Sequence, residues 1–152
     1  MASIRKEIVI EVRPEAVWDA LRDWGGLDQR LVPGFVTDTR LDGEDRIVTF
    51  ASGLVVREVL VDCDDDQRRL VWSVVDGPYT HHNGTAQVHP EGSHTRFVWT
   101  TDLLPHERAA ATEQAMEEGL RTIKRTLEVG SPAGGADVGE IGTAPQAEDT
   151  LG

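Results

Sequence analysis

A chain of 152 residues is one domain's length, long enough to bury a core without disulfide or metal staples. Its 27 acidic residues against 15 Lys and Arg give a formal charge of −12, which excludes the clustered basic surface that nucleic acid or an anionic membrane requires. One cysteine, Cys63, excludes an internal disulfide and, set among acids from Asp62 to Asp66, is a poor candidate nucleophile.

Residues 4–12 read as a strand, with Ile4, Ile8, Ile10 and Val12 on one side of a two-residue period that only Lys6 interrupts. No leader-like or membrane-spanning apolar run occurs there or later, so the expected location is the cytoplasm. Pro14 suits a first helical position and Glu15 the helix dipole, predicting a short helix that carries Val17, Trp18 and Leu21 on one face. Gly25-Gly26 ends it before a second short turn from Leu27 to Leu31.

A meander follows, with strands predicted over 36–41, 46–50, 54–61, 70–75, 80–88 and 94–101, each link of hairpin length. Asn83-Gly84 is a hairpin signal that competes with continuity of the sixth strand. From 105 to 128 the period becomes helical, with Ala109, Met116, Leu120, Ile123 and Leu127 as an apolar stripe. Gly119 inside it costs about 1 kcal/mol relative to Ala, which the close approach of another group or room for a ligand would explain. Residues 131–152 are Gly, Ala, Pro and Thr with four acids and no base, a composition expected to remain a disordered tail beyond a domain of residues 1–130.

The order of these elements, with Ile10 through Trp18, Val32-Pro33-Gly34, Arg57 through Leu60, Asp76-Gly77-Pro78, Val88 through Gly92, Thr95 through Trp99 and Leu104-Pro105, resembles the START-like or SRPBCC superfamily. Within it the chain is similar to the second polyketide cyclase/dehydrase family over residues 3–128. The resemblance implies an α+β helix-grip fold: a curved seven-stranded antiparallel sheet, two short helices after the first strand and a long C-terminal helix across the concave face. It also implies a pocket on that face. A fold does not fix an activity, so function rests on the site.

Strand alternation supplies the candidates. Leu70, Trp72 and Val74 share one face, as do Phe97, Trp99 and Thr101, and their bulk assigns both sets to the concave side. Trp72, Val74, Phe97 and Trp99, with Met116 and Leu120 from the helix, are either ligand walls or ordinary core. His82, in phase with Gly84, Ala86 and Val88, faces in, either as a satisfied wall residue or as a hydrogen-bonding and acid/base group. Glu58, in phase with Leu54, Val56 and Leu60, turns a carboxylate inward, either as a site acid or as the partner of Arg57. His89 and His94 flank a turn as possible cross-strand neighbours, but with no third ligand no metal site is expected. Phosphate-loop and serine-hydrolase motifs are absent from the sequence, and no cofactor is expected.

The leading expectation is a domain that binds or carries an apolar small molecule, with His82 and Glu58 orienting it. The alternatives are an aromatase/cyclase using His82 or Glu58 as acid/base, and a protein-interaction or stress-response module with a vestigial pocket. Exposed edge strands permit a monomer or a weak dimer.

Overall fold

The computed structural model describes residues 1–130. Strand β1 (Ala2–Ile10) leads into helix α1 (Pro14–Arg22), a 3₁₀ turn (Trp24–Gly26) and a π turn (Leu27–Leu31). Six strands follow: β2 (Val36–Asp42), β3 (Asp45–Phe50), β4 (Val55–Asp64), β5 (Arg69–Val74), β6 (His81–Glu91) and β7 (His94–Leu104). A 3₁₀ turn (His106–Arg108) then opens helix α2 (Ala109–Gly130). All seven strands form one antiparallel sheet in the order β1-β7-β6-β5-β4-β3-β2. The expected helix-grip architecture is what the chain adopts, and the predicted tail lies outside the described residues.

Local chemistry accounts for the boundaries. Pro14 takes the first position of α1, whose apolar face buries Val17, Trp18 and Leu21. Asp65 then ties this helix to the β4–β5 turn, its Oδ1 accepting hydrogen bonds from Trp18 Nε1 and Arg22 Nε, each at 2.9 Å. The acidic run around Cys63 is therefore partly structural. It extends β4 through Asp64, three residues beyond the predicted end.

Strand β6 runs unbroken through Asn83-Gly84, against the local hairpin signal. The reason is tertiary: Gly84 pairs with Trp72 on β5 and Thr101 on β7, and a Cβ at Gly84 would stand 2.5 Å from Trp72 Cε2. The glycine is a seat for the indole, not a turn residue. Gly119 plays the same part on α2, where an added Cβ would come 2.9 Å from Trp99 Cζ3.

Helix α2 lies across the concave face and is tied to β1 by charge. Lys6, the residue that interrupts the apolar alternation of β1, reaches Glu113 at 2.6 Å and Glu117 at 2.9 Å. Lys124 Nζ donates to the Val9 carbonyl at 2.7 Å and also pairs with Glu128. Beneath the helix Ile10, Leu70, Phe97, Leu103 and Met116 are fully buried, each apolar side chain contributing about 1.5–3 kcal/mol.

Candidate functional site

A cavity of about 630 Å³ separates α2 from the sheet. That volume is within the usual range for small-molecule pockets, roughly 300–1,000 Å³. Its floor comes from alternate residues of the strands, as period-two geometry requires: Leu70, Trp72 and Val74 from β5, and Phe97, Trp99 and Thr101 from β7. Met116 closes it from α2, together with Ala111, Thr112 and Ala115. Trp72 and Trp99 stand side by side, ring centroids 6.3 Å apart at 52°. Thus Trp72, Val74, Phe97, Trp99 and Met116 all reach the cavity wall. Leu120 does not: it is buried in the hydrophobic core beside Gly119, whose missing side chain admits the Trp99 ring, although Ile123 further along the helix does line the cavity.

The polar groups nearest the sequence candidates Glu58 and His82 fall into two clusters on this largely apolar wall, on either side of β5. On the β3–β4 side, Glu58 is buried and its Oε1 accepts from Arg46 Nε at 2.8 Å and lies 2.8 Å from Arg46 Nη2. Arg46 Nη1 donates to the Trp24 carbonyl at 3.0 Å, and its guanidinium lies 3.6 Å from the Trp24 ring centroid. Burial pulls the Arg46 pKa down and the Glu58 charge opposes that pull. Arg57, the partner considered from sequence, faces the other way and pairs with Asp42 and Asp45. Cross-strand register selects the true partner, since Arg46 pairs with Glu58.

On the β6–β7 side, His82 is buried as its phase predicts, while His81 is exposed. Burial without a counter-charge pushes the His82 pKa down to about 4, so its imidazole is neutral at physiological pH. Tyr79 meets it edge-on, ring centroids 4.8 Å apart. The Thr112 hydroxyl donates to the Arg108 carbonyl at 2.8 Å, which leaves the Tyr79 hydroxyl as donor in its 2.9 Å contact with Thr112 Oγ1. Arg108 in turn lies 5.6 Å from the Tyr79 ring centroid.

This side is not fully satisfied. Among the described residues, five buried polar side-chain atoms have no protein hydrogen-bond partner, and four belong to the cavity wall here: His82 Nδ1, Trp99 Nε1, Thr101 Oγ1 and Arg108 Nε. Each such group costs about 1–3 kcal/mol. Tyr79, Arg108 and Thr112 were not visible as site residues in the sequence. Two lie in a loop and a turn with no period to read, and Thr112 shares the buried helical face of Ala109 and Met116 but is polar, so it adds nothing to the apolar signal.

Glu58 and His82 share the concave wall but form no contact with each other, and no group of three metal-ligating side chains exists among the described residues. His89 pairs with Arg96 and His94 with Glu91, so the two histidines are not cross-strand partners. No helix among the described residues is long and apolar enough to cross a membrane.

A curved sheet gripping one helix over an apolar cavity defines a class of hydrophobic-ligand-binding folds. The chain belongs to the polyketide cyclase / dehydrase and lipid transport family, whose model matches residues 1–128. Solved structures agree on the fold. The chain is similar to the Bacillus cereus protein XoxI, at 21% identity and a TM-score of 0.74 over 82% of this chain and 94% of that one. It is also similar to an uncharacterised Bacillus thuringiensis protein, at 20% identity and a TM-score of 0.72 over 82% and 97%. A Thermobifida fusca protein matches at 25% identity and a TM-score of 0.66 over 82% and 89%. No curated protein matches the chain.

Proposed function

We propose that this protein binds or carries an apolar small molecule, lipid-like, aromatic or polyketide-like, in the cavity between the sheet and α2. The observation that carries this reading is a cavity of about 630 Å³, partly open to solvent, that reaches into a core which otherwise packs Phe97, Leu70 and Leu103 to full burial. Protein interiors normally fill such space, because every unfilled volume forfeits dispersion contacts. Two tryptophans, each seated against a glycine, supply flat walls suited to a ring or chain. The reading needs no cofactor, and it suits a cytoplasmic monomer or weak dimer.

Fluorescence titration with the neutral apolar probe N-phenyl-1-naphthylamine tests it. The wild-type chain is expected to take up one equivalent, and Ala115→Trp, which fills the cavity from α2, to lose that uptake while still unfolding cooperatively. Equal uptake by both proteins, or none by the wild type, would refute internal binding.

A second reading is cyclisation and dehydration of a poly-β-keto chain, supported by the neutral imidazole of His82 at the wall. The pocket would fold the chain and His82 would move a proton, with Glu58, held by Arg46, fixing the wall opposite. His82→Ala would then lower product formation more than ligand affinity, and equal losses of both would count against it.

A further inference from the structure

Of the 15 Lys and Arg residues, ten make ion pairs with carboxylates among the described residues, as an acid-rich surface makes easy. Two arginines reach the cavity wall. Arg46 is one, and Glu58 neutralises it. Arg108 is the other, and among the described residues it has no carboxylate within ion-pair distance, although the chain carries 27 acids. An unpaired cation beside a largely apolar cavity calls for an anion that the described residues do not bring within ion-pair distance.

The residues around Arg108 extend that demand. The Tyr79 ring bridges Arg108 and His82. Thr101 lies opposite Gly84 on the paired strand, one same-face step diagonally from His82, and Trp99 follows Thr101 on the same face of β7. The unpartnered atoms are rich in donors: Trp99 Nε1 and Arg108 Nε can only donate, the Thr101 hydroxyl can donate, and His82 Nδ1 does either according to its tautomer. One group answers a cation and several donors together: an oxygen acid with its lone pairs unshared.

We propose that the occupant of the cavity is an amphiphile with an apolar body and one carboxylate. The body lies along Trp72 and Trp99, and the carboxylate lies against Arg108, within reach of Thr101, Trp99 and His82. The unpartnered atoms are themselves buried, so the head group engages Arg108 first and the Thr101 hydroxyl and His82 ring turn to meet it. This rests on the cavity being a binding site, and it names the chemistry of what binds.

Displacement of N-phenyl-1-naphthylamine from the full chain at neutral pH by decanoate, decan-1-ol and methyl decanoate tests it. These three carry similar chains and differ in the head. Decanoate is expected to bind about tenfold or more tightly than the ester, the usual scale of a charge-assisted hydrogen bond. Arg108→Gln is expected to erase that preference, lowering the affinity for decanoate about tenfold more than that for methyl decanoate, and Thr101→Val to reduce it about threefold, a single neutral hydrogen bond's share. If all three ligands displace the probe equally, or if Arg108→Gln weakens acid and ester alike, the carboxylate assignment fails while binding in the cavity stands. If the probe binds but none of the three displaces it, the amphiphile class is wrong. A probe that does not bind removes both proposals.

Discussion

The two sides of the cavity are built from similar materials and finished differently. On the β3–β4 side a cation, a carboxylate, a backbone carbonyl and an indole face satisfy one another in the free protein. On the β6–β7 side a cation, an imidazole, an indole N–H and a hydroxyl stand on the wall with atoms that nothing among the described residues answers. The closed side resembles a structural clasp: it costs desolvation, repaid by mutual pairing. The open side carries a cost that folding alone does not repay, and such concentrations of unmet need mark the place where another molecule belongs. The contrast also separates two residues that the sequence presents alike. Glu58 and His82 both point inward from strands, yet the first is spoken for and the second is not.

The largest effect should come from breaking the clasp. Arg46→Leu leaves the Glu58 carboxylate buried without its cation and is expected to cost about 3–5 kcal/mol in urea unfolding. Adding Glu58→Leu should recover most of that loss, because an apolar pair of similar volume is tolerated where half an ion pair is not. Failure of the second substitution to rescue the first would show that the clasp acts beyond stability.

His82 supplies the next effect, and its sign follows from proton counting. The unfolded chain binds a proton at this histidine below its ordinary pKa of 6.5, whereas the folded chain does so only below about 4. Between these values the unfolded state holds more protons, so stability falls as pH drops from 6.5 toward 4, by about 3 kcal/mol as an order of magnitude. Wild type and His82→Phe should therefore diverge across that window in urea midpoints, with the variant losing less.

The glycine seats come third. Gly84→Ala places a methyl 2.5 Å from the Trp72 ring and should destabilise by about 1–3 kcal/mol, the usual cost of overpacking. Gly119→Ala gains about 1 kcal/mol of helix propensity but must push the edge of Trp99, so its net effect on stability should be small. Its effect should fall on the cavity instead, as weaker uptake of bulky apolar probes. The smallest loss is expected at Thr101→Val, which should leave the free protein no less stable than wild type and up to about 1–3 kcal/mol more stable, because its hydroxyl has no partner to lose.

Much of this arrangement was legible in the sequence, and the reasons are particular. Period two turned Trp72, Phe97 and Trp99 inward and distinguished His82 from His81, because a strand with one buried face leaves little freedom of register. Lys6 broke the same pattern on β1 because it answers Glu113 and Glu117 on α2. The Arg46 partnership had a signal too: Arg46 alternates with Val48 and Phe50, but choosing between Arg46 and Arg57 requires the β3–β4 register. The continuity of β6 was obscured because Asn83-Gly84 has the local chemistry of a turn, and only the Trp72 ring across the sheet explains the glycine. Leu120 fell on the buried face of the helix but packs into the core between the wall residues Met116 and Ile123, since a helical wheel gives direction and not depth. Tyr79 and Arg108 owe their place to chain path between elements, which no local period encodes, whereas Thr112 follows the helical period of Ala109 and Met116 and is masked only by its polarity.

Native mass spectrometry of the chain purified without denaturation, followed by extraction and identification of what travels with it, tests the central claim most directly. The account predicts one apolar molecule per chain, bearing a single carboxylate and displaced by the Ala115→Trp substitution. A chain that is empty as isolated and takes up no apolar acid or probe on titration would contradict it, and would return the cavity to the status of a packing defect.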